Sequence, residues 1–232
     1  MNVSIIVPCY NEQDNMAALV EAIKQVQTYG LDVEFILVNN GSKDNTSAEI
    51  DKYVGGNIRK VDVPVNKGYG YGIQQGILAS TGAYVGWIHG DVQIHPTELN
   101  NFLRYIAEHP AGGYFMKGAR TNRTAFELVF TNGQSIVNSV IFKKKMYDVA
   151  AIPAIFPREI FDSNLIPNDF SIEIFAYQAA LNAGLIPVKF KVVVEKREGG
   201  KSSWNSGLKS RIKQSKIILR DSIMIKNGQK VL

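Results

Sequence analysis

Four apolar runs rich in β-branched residues, at 3–7, 33–38, 58–65 and 83–88, alternate with stretches of helical periodicity. The intervening apolar positions recur at helical spacing over 12–27, over 45–53 and, after Asn66-Lys67-Gly68, up to Ala79. Asn11 is placed to cap the first helix. Strand and helix in strict alternation predict an α/β chain, a mostly parallel sheet with helices on its faces. Ligands in such sheets collect outside the carboxyl ends of the strands. Each run here is followed by a polar cluster: Pro8-Cys9-Tyr10-Asn11-Glu12, Asn39-Asn40-Gly41-Ser42, Asn66-Lys67-Gly68 and His89-Gly90-Asp91-Val92-Gln93. Any one of them is accountable as a turn chosen for its backbone. Four on one sheet edge point to a binding site. If the segment after the fourth run is extended, His89, Asp91 and Gln93 share one face and converge on one ion.

Several function classes drop out. Gly68-Tyr69-Gly70-Tyr71-Gly72 invites a dinucleotide reading, but Ile73 and Gln75 occupy the third glycine positions of G-x-G-x-x-G, and no phosphate-binding P-loop sequence is present. The 232 residues, 45% hydrophobic and 20% charged, fit one globular domain with a net charge of +5. That charge is unevenly spread. From Lys191 onward there are eleven basic and three acidic residues, a balance of +8, so the first 190 residues balance at −3. The basic residues lack interleaved stacking aromatics, which sets nucleic acid aside. A single cysteine, Cys9, and no signal-peptide order at the start lead to the expectation of a reducing, cytoplasmic setting. No run reaches the roughly 18 apolar residues of a membrane span, so membrane contact is expected to be peripheral, at the inner membrane surface. From Trp204 the chain reads as a helix with Leu208, Ile212, Leu219 and Ile223 on one side and Lys209, Lys213, Lys216 and Arg220 beside them. It either lies on an anionic bilayer or packs its apolar stripe on the body. Lys143-Lys144-Lys145 would add to the same basic face.

Taken in order, Val3-Ser4-Ile5-Ile6-Val7-Pro8-Cys9-Tyr10-Asn11-Glu12, Phe35-Ile36-Leu37-Val38-Asn39-Asn40-Gly41-Ser42-Lys43-Asp44-Asn45-Thr46, Asn66-Lys67-Gly68 and His89-Gly90-Asp91 resemble the inverting glycosyltransferases of family 2. These have the GT-A fold, a Rossmann-like, mostly parallel sheet flanked by helices. Within that family the chain is most similar to dolichyl-phosphate mannose synthases and related polyprenyl-phosphate sugar transferases. Their Asp-Ala-Asp-Leu-Gln motif, followed by Pro, corresponds to His89-Gly90-Asp91-Val92-Gln93 with Pro96. In the second half Asp148, Phe170-Ser171-Ile172-Glu173, Gly184 and Arg197-Glu198-Gly199-Gly200-Lys201-Ser202 follow in the family's order. The resemblance implies one GT-A domain over 1–232, with a nucleotide-binding half at 1–98, an acceptor half at 99–203 and a basic helical tail at 204–232.

It further implies transfer of a sugar from a nucleotide-diphosphate sugar with the help of a divalent cation, Mn2+ or Mg2+, ligated by Asp91 and Gln93. His89 stands where the family has its first Asp, and an imidazole either tilts the preference toward Mn2+ or weakens the metal. Pro8, Tyr10, Asn11, Glu12, Asn39, Asn40, Lys67, Gly68, Gly90 and Asp91 are the implied nucleotide neighbours, with packing on the first helix as the other role for Tyr10. Asn39 and Asn40 replace a paired Asp, which leaves the nucleobase open. The preferred acceptor is a polyprenyl phosphate, whose anionic oxygen calls for cationic clamping rather than a base. Arg120, Arg197, Lys201 and Ser202 are the implied clamp, with Arg123 a substitute for a further Arg or simply solvated. A glycan hydroxyl acceptor would instead require a base. Asp169 and Glu173 are then the catalytic candidates beside Asp91, unless both are helix N-terminal charges. The substitutions at 39, 40 and 89 also admit a nucleotide-sugar-binding subunit without turnover.

Overall fold

The computed structural model describes residues 1–161, 165–195, 207–229 and 231, the side chains of 125–126 and 207–215 excepted. The strands are β1 (Asn2–Cys9), β2 (Asp32–Asn40), β3 (Ile58–Val63), β4 (Tyr84–Trp87), β5 (Tyr114–Arg120), β6 (Ala154–Pro157) and β7 (Ile186–Val192). They form one sheet in the order β3-β2-β1-β4-β6-β5-β7. β1 pairs parallel with β2 and β4, β2 with β3, and β5 with β7, whereas β6 is antiparallel to both β4 and β5. Six strands therefore run the same way and present their carboxyl ends at one edge.

The helices are α1 (Met16–Lys24), α2 (Thr46–Asp51), α3 (Tyr69–Ala79), α4 (Leu99–Glu108), α5 (Ala125–Phe142), α6 (Ile172–Asn182) and α7 (Gly207–Lys226). Successive strand residues face opposite ways, so both faces of the central strands need cover. Val3, Ile5 and Val7 pack with Leu19 and Ile23 of α1 and Phe102 and Leu103 of α4. Ile6, Val38, Val85 and Trp87 look the other way, onto Ile73 and Ile77 of α3 and Phe175 and Ala176 of α6. The predicted α/β architecture is what the chain adopts.

Local boundaries differ where side chains found other partners. β1 continues through Pro8, whose fixed φ suits a strand and costs only one ladder N–H. Asn11 does not cap α1. It sits at φ 55° and its Oδ1 accepts from the Lys43 N–H at 2.8 Å, so the helix proper begins only at Met16 after a 3-10 turn. In α7 the buried residues include Asp221, Ser222 and Ile225, while Leu219 and Ile223 are exposed. Ile218, Met224 and Ile225 pack on the core, Ser171 Oγ donates to Asp221 Oδ2 at 2.6 Å, and Ser222 Oγ donates to Asn138 Oδ1 of α5 at 2.7 Å. Those contacts leave the expected apolar stripe outward at its described end. Among the described residues no helix is long and apolar enough to cross a membrane.

Opposite the ligand edge, one carboxylate buckles the sheet. Glu34 Oε1 accepts from Ser4 Oγ (2.5 Å), Thr81 N (2.9 Å) and Thr81 Oγ1 (2.8 Å), and Oε2 accepts from Arg59 Nη1 (2.7 Å). Burial works to raise this carboxyl, but the four hydrogen bonds outweigh it and bring the pKa from 4.5 to about 2. A lowered folded-state pKa gives stabilisation that is complete above about pH 4.5 and is lost as pH falls toward 2. In urea denaturation across that window, the wild type should lose stability more steeply than Glu34→Gln. Parallel curves would remove Glu34 from the account of the fold.

Candidate functional site

The loops after β1 and β2 are bonded across to each other. Asn11 N donates to Ser42 Oγ (3.1 Å), Glu12 N to Thr46 Oγ1 (2.8 Å), Gln13 N to Asp44 Oδ2 (3.3 Å) and Asn45 N to Gln13 Oε1 (2.9 Å). Tyr10, just after β1, is 41% exposed. Asn39 Oδ1 accepts from Ser42 N at 3.2 Å, and its amide donates to Asp62 Oδ1 at 2.8 Å. A carboxylate is thus present at this strand end, supplied by β3 instead of β2. Asn40 is 3% exposed and donates to the Gly68 carbonyl at 3.0 Å. It is closed off beneath α3, contrary to its expected place beside the nucleotide.

The glycines of α3 explain this closure. A Cβ on Gly68 would come 2.2 Å from the Asn168 carbonyl oxygen, and one on Gly70 2.2 Å from that of Pro167. One on Gly72 would stand 2.9 Å from Asn40 Cγ, and one on Gly76 2.4 Å from Ile6 Cγ2. The glycine repeat is a packing surface that lets α3 lie directly on the 167–169 segment and on β1. Tyr71 N donates to the Asn168 carbonyl at 3.0 Å, which fixes the contact. Lys67 remains exposed, its ammonium 5.1 Å from the centre of the Tyr71 ring.

After β4, the chain turns instead of continuing extended, because Val92 adopts φ 57°. The one-face alternation of residues 89, 91 and 93 is therefore lost. Asp91 Oδ1 accepts from Gln93 N at 3.2 Å, while Gln93 Nε2 donates to the Glu195 carbonyl at 3.4 Å and the Gln93 backbone carbonyl accepts from the Glu195 N–H at 2.7 Å. Gln93 is thereby tied to the segment after β7 through its side-chain Nε2 and its backbone carbonyl. Gly90 fits against β1, where a Cβ would lie 3.0 Å from Cys9 Sγ. Burial, reinforced by the nearby charges of Glu12 and Asp91, pushes the Cys9 thiol far above its ordinary range, so Cys9 is an inert part of the core. Among the described residues no three His, Cys, Asp or Glu side chains cluster as a closed metal cage. The carboxylate of Asp91 and the imidazole of His89, both in the segment just after β4, are donor types that a divalent cation takes.

Beneath this end lies an interior polar group. Glu173, expected as an acceptor-side base, is 3% exposed. Its Oε1 accepts from Trp87 Nε1 at 2.7 Å and Tyr69 OH at 3.3 Å, and Oε2 has no hydrogen-bond partner. Burial raises its pKa against the lowering pull of Lys117. Lys117 is itself buried, donates to the Ala151 carbonyl, and is lowered by desolvation to about 8. Neither Lys117 nor Trp87 was singled out from sequence. Their signal was a basic residue in the middle of one apolar strand and a large indole at the end of another.

Arg120 ends β5 and is clamped by Asp148, whose Oδ2 accepts from both the Arg120 backbone N–H and Nε at 3.2 Å, while Nη2 donates to Oδ1. Burial raises the Asp148 carboxyl, but the Arg120 guanidinium outweighs it and holds it below the usual range. Arg120 lines a groove of about 680 Å³ shared with Arg123, Thr131, Ser135, Lys145 and Asp148, whose apolar wall includes Leu128, Ile136 and Val140. Arg123 is not merely solvated, since it donates to Thr131 Oγ1. Asp169 stays at the rim of α6, half-buried, accepting from Ser171 N at 2.9 Å. Arg197, Lys201 and Ser202 lie outside the described residues.

The α3 packing has a direct test. Gly70→Ala forces a methyl onto backbone oxygen and should cost about 1–3 kcal/mol, lowering the melting temperature by roughly 2–4 °C per kcal/mol. A Cβ on Gly133 of α5 would meet nothing within 4 Å, so Gly133→Ala should stabilise by about 0.5–1 kcal/mol. Equal effects of the two in differential scanning calorimetry would contradict the close approach.

Comparison with known proteins gives the fold and the family. The dolichyl-phosphate beta-glucosyltransferase of Dictyostelium discoideum is 32% identical over 111 residues, 44% of this chain and 33% of its own length. The dodecaprenyl-phosphate galacturonate synthase of Rhizobium johnstonii is 32% identical over 127 residues, 53% of this chain and 37% of its own length. The matched stretches thus span little more than a third of these relatives. The crystal structure of glucosyl-3-phosphoglycerate synthase from Mycobacterium tuberculosis, in complex with Mn2+, UDP and glucosyl-3-phosphoglycerate, superposes with a TM-score of 0.69 at 18% identity. That likeness covers 98% of this chain and 80% of the other, and it establishes the GT-A fold. The model of glycosyl transferase family 2 matches residues 4–163, and the chain belongs to that family.

Proposed function

We propose that the chain is an inverting glycosyltransferase that moves a sugar from a nucleotide-diphosphate sugar to a polyprenyl phosphate. The observation that carries this reading is the placement, on one sheet edge, of Asp91 after β4 and of a cationic, partly apolar groove at the end of β5. On the donor side Tyr10 is open for the base or ribose, and the carboxylate of Asp62, held by Asn39, stands at the strand end. His89 and Asp91 would hold the divalent cation, which when bound neutralises the leaving diphosphate.

On the acceptor side Asp148 orients the Arg120 guanidinium and uses two of its five side-chain N–H donors, leaving the others for a phosphate. Arg123 and Lys145 add charge in the same groove. A phosphate oxygen is already anionic, so displacement at the anomeric carbon needs no general base. The buried position of Glu173 accords with that. Leu128, Ile136 and Val140 give a hydrocarbon chain an apolar path away from the phosphate. Val129 and Val137 are also exposed along α5, and Lys143 and Lys145 are exposed just beyond its end. This combination supports peripheral contact with an anionic bilayer through α5, at the cytoplasmic face. The polyprenyl-phosphate enzymes among the relatives support the same acceptor class.

A calorimetric panel of nucleoside diphosphates, with and without Mn2+, tests the donor half. At least one should bind in a Mn2+-dependent manner, and Asp91→Asn should weaken it by about 10- to 100-fold. Arg120→Ala should retain that affinity while raising KM for polyprenyl phosphate. If no nucleoside diphosphate binds, the reading fails. If transfer instead goes to a glycan hydroxyl and is abolished by Asp169→Asn, the acceptor half fails.

A further inference from the structure

We infer that Glu173 is a positioning residue of the donor site: its buried carboxylate, through Trp87 and Tyr69, sets where His89 and the end of β4 stand. What it positions rests on the donor reading above, while the contacts themselves do not.

The sheet register creates the place for this carboxylate. Trp87 pairs with Ala154 across β4 and β6, and Lys117 pairs with Ala154 across β5 and β6. Directly paired residues share a face, so an indole, a methyl and an ammonium stand in a row across three strands. Ala154 is the small member, and the methyl leaves the space between its neighbours unfilled. Glu173, the second residue of α6, fills it. It bonds to Trp87 and feels the Lys117 charge.

From Oε1 two independent routes lead to His89. One runs along β4, because Trp87 lies two residues ahead of His89. The other passes through Tyr69, the first residue of α3, whose hydroxyl donates to the same oxygen at 3.3 Å. The Tyr69 ring meets His89 edge-on, with centroids 5.2 Å apart and planes at 87°. Its other contact is a stack on Phe170 at 4.5 Å and 13°. The ring is thereby held between the segment that carries Glu173 and the imidazole at the strand end.

A packing role alone does not account for a carboxylate here. An apolar side chain of similar volume fills such a space without the cost of desolvating a charge. One oxygen of Glu173 carries both hydrogen bonds, and the other makes none. The group is spent on direction: it accepts from two donors whose rings must each be held in one orientation. It joins segments 86 and 104 residues apart in the chain, and Arg120 on the acceptor side also lies within its electrostatic reach.

The test uses the full chain carrying Trp204→Phe, so that Trp87 gives the remaining indole signal. His89 ring resonances are assigned by His89→Gln and followed by NMR in Glu173→Gln and Tyr69→Phe. Both variants should shift the His89 signals, and Glu173→Gln should also move the Trp87 indole N–H. Titration with Mn2+ alone should broaden the His89 signals in the parent, and Glu173→Gln should require about tenfold more Mn2+ for the same effect. Folded variants of both kinds with parental His89 signals would overturn the inference. If Glu173→Gln fails to fold, Tyr69→Phe, which keeps the ring and the carboxylate, decides alone by the His89 shift. Absence of Mn2+ broadening in the parent would refute the cation site and with it the donor reading, leaving the positioning claim to be judged by the shifts.

Discussion

The reversed strand β6 governs what the sheet edge holds. It lies antiparallel between β4 and β5, so β5 and β7 return in the direction of the first four strands. Because β6 is antiparallel to both neighbours, β4 and β5 run the same way, and Arg120 at the end of β5 stands at the same edge as Asp91 after β4. The carboxyl end of a second-half strand thus shares an edge with those of the first half, and a groove with Arg120, Arg123 and Lys145 opens at the end of β5. The same strand contributes Ala154, whose small side chain admits Glu173 between Trp87 and Lys117. One element therefore sets both the direction of the acceptor side and the interior contact below the donor side.

The first half was legible because its information is local. Period, β-branching and a polar stop after each apolar run mark strand ends within a few residues, and parallel pairing follows from the crossover helices. The second half depends on contacts far apart in sequence. β6 is four residues long, its neighbours are set by register, and Glu173 meets Trp87 across 86 residues. A helix-opening Glu reads as a dipole charge from sequence, and nothing nearby shows that it is buried. Likewise Val92 at a positive φ is not a residue type that announces a turn. Alternation from His89 through Gln93 failed there, and Gln93 went to the backbone of Glu195.

Charge was legible as an amount but not as a place. The sequence divides into an acidic body and a basic tail, with the acceptor phosphate expected at the boundary near Arg197. The described cationic groove lies within the body, where Arg120, Arg123 and Lys145 are gathered by the end of β5 and by α5. In α7 the buried face combines the hydrogen bonds of Asp221 and Ser222 with the packing of Ile218, Met224 and Ile225 on the core, which together leave Leu219 and Ile223 outside. The exposed apolar surface then falls on α5, beside the groove, as well as on the tail.

The union of a donor end and an acceptor groove on one edge is tested most directly by product formation. Radiolabelled nucleotide sugars of several bases are incubated with the purified chain, Mn2+ and a polyprenyl phosphate, and the lipid phase is counted. Label should enter the lipid as an acid-labile sugar phosphate, with the anomeric configuration opposite to that of the donor. Label that stays wholly in the aqueous phase, whether as free sugar or on a glycan, would contradict the account.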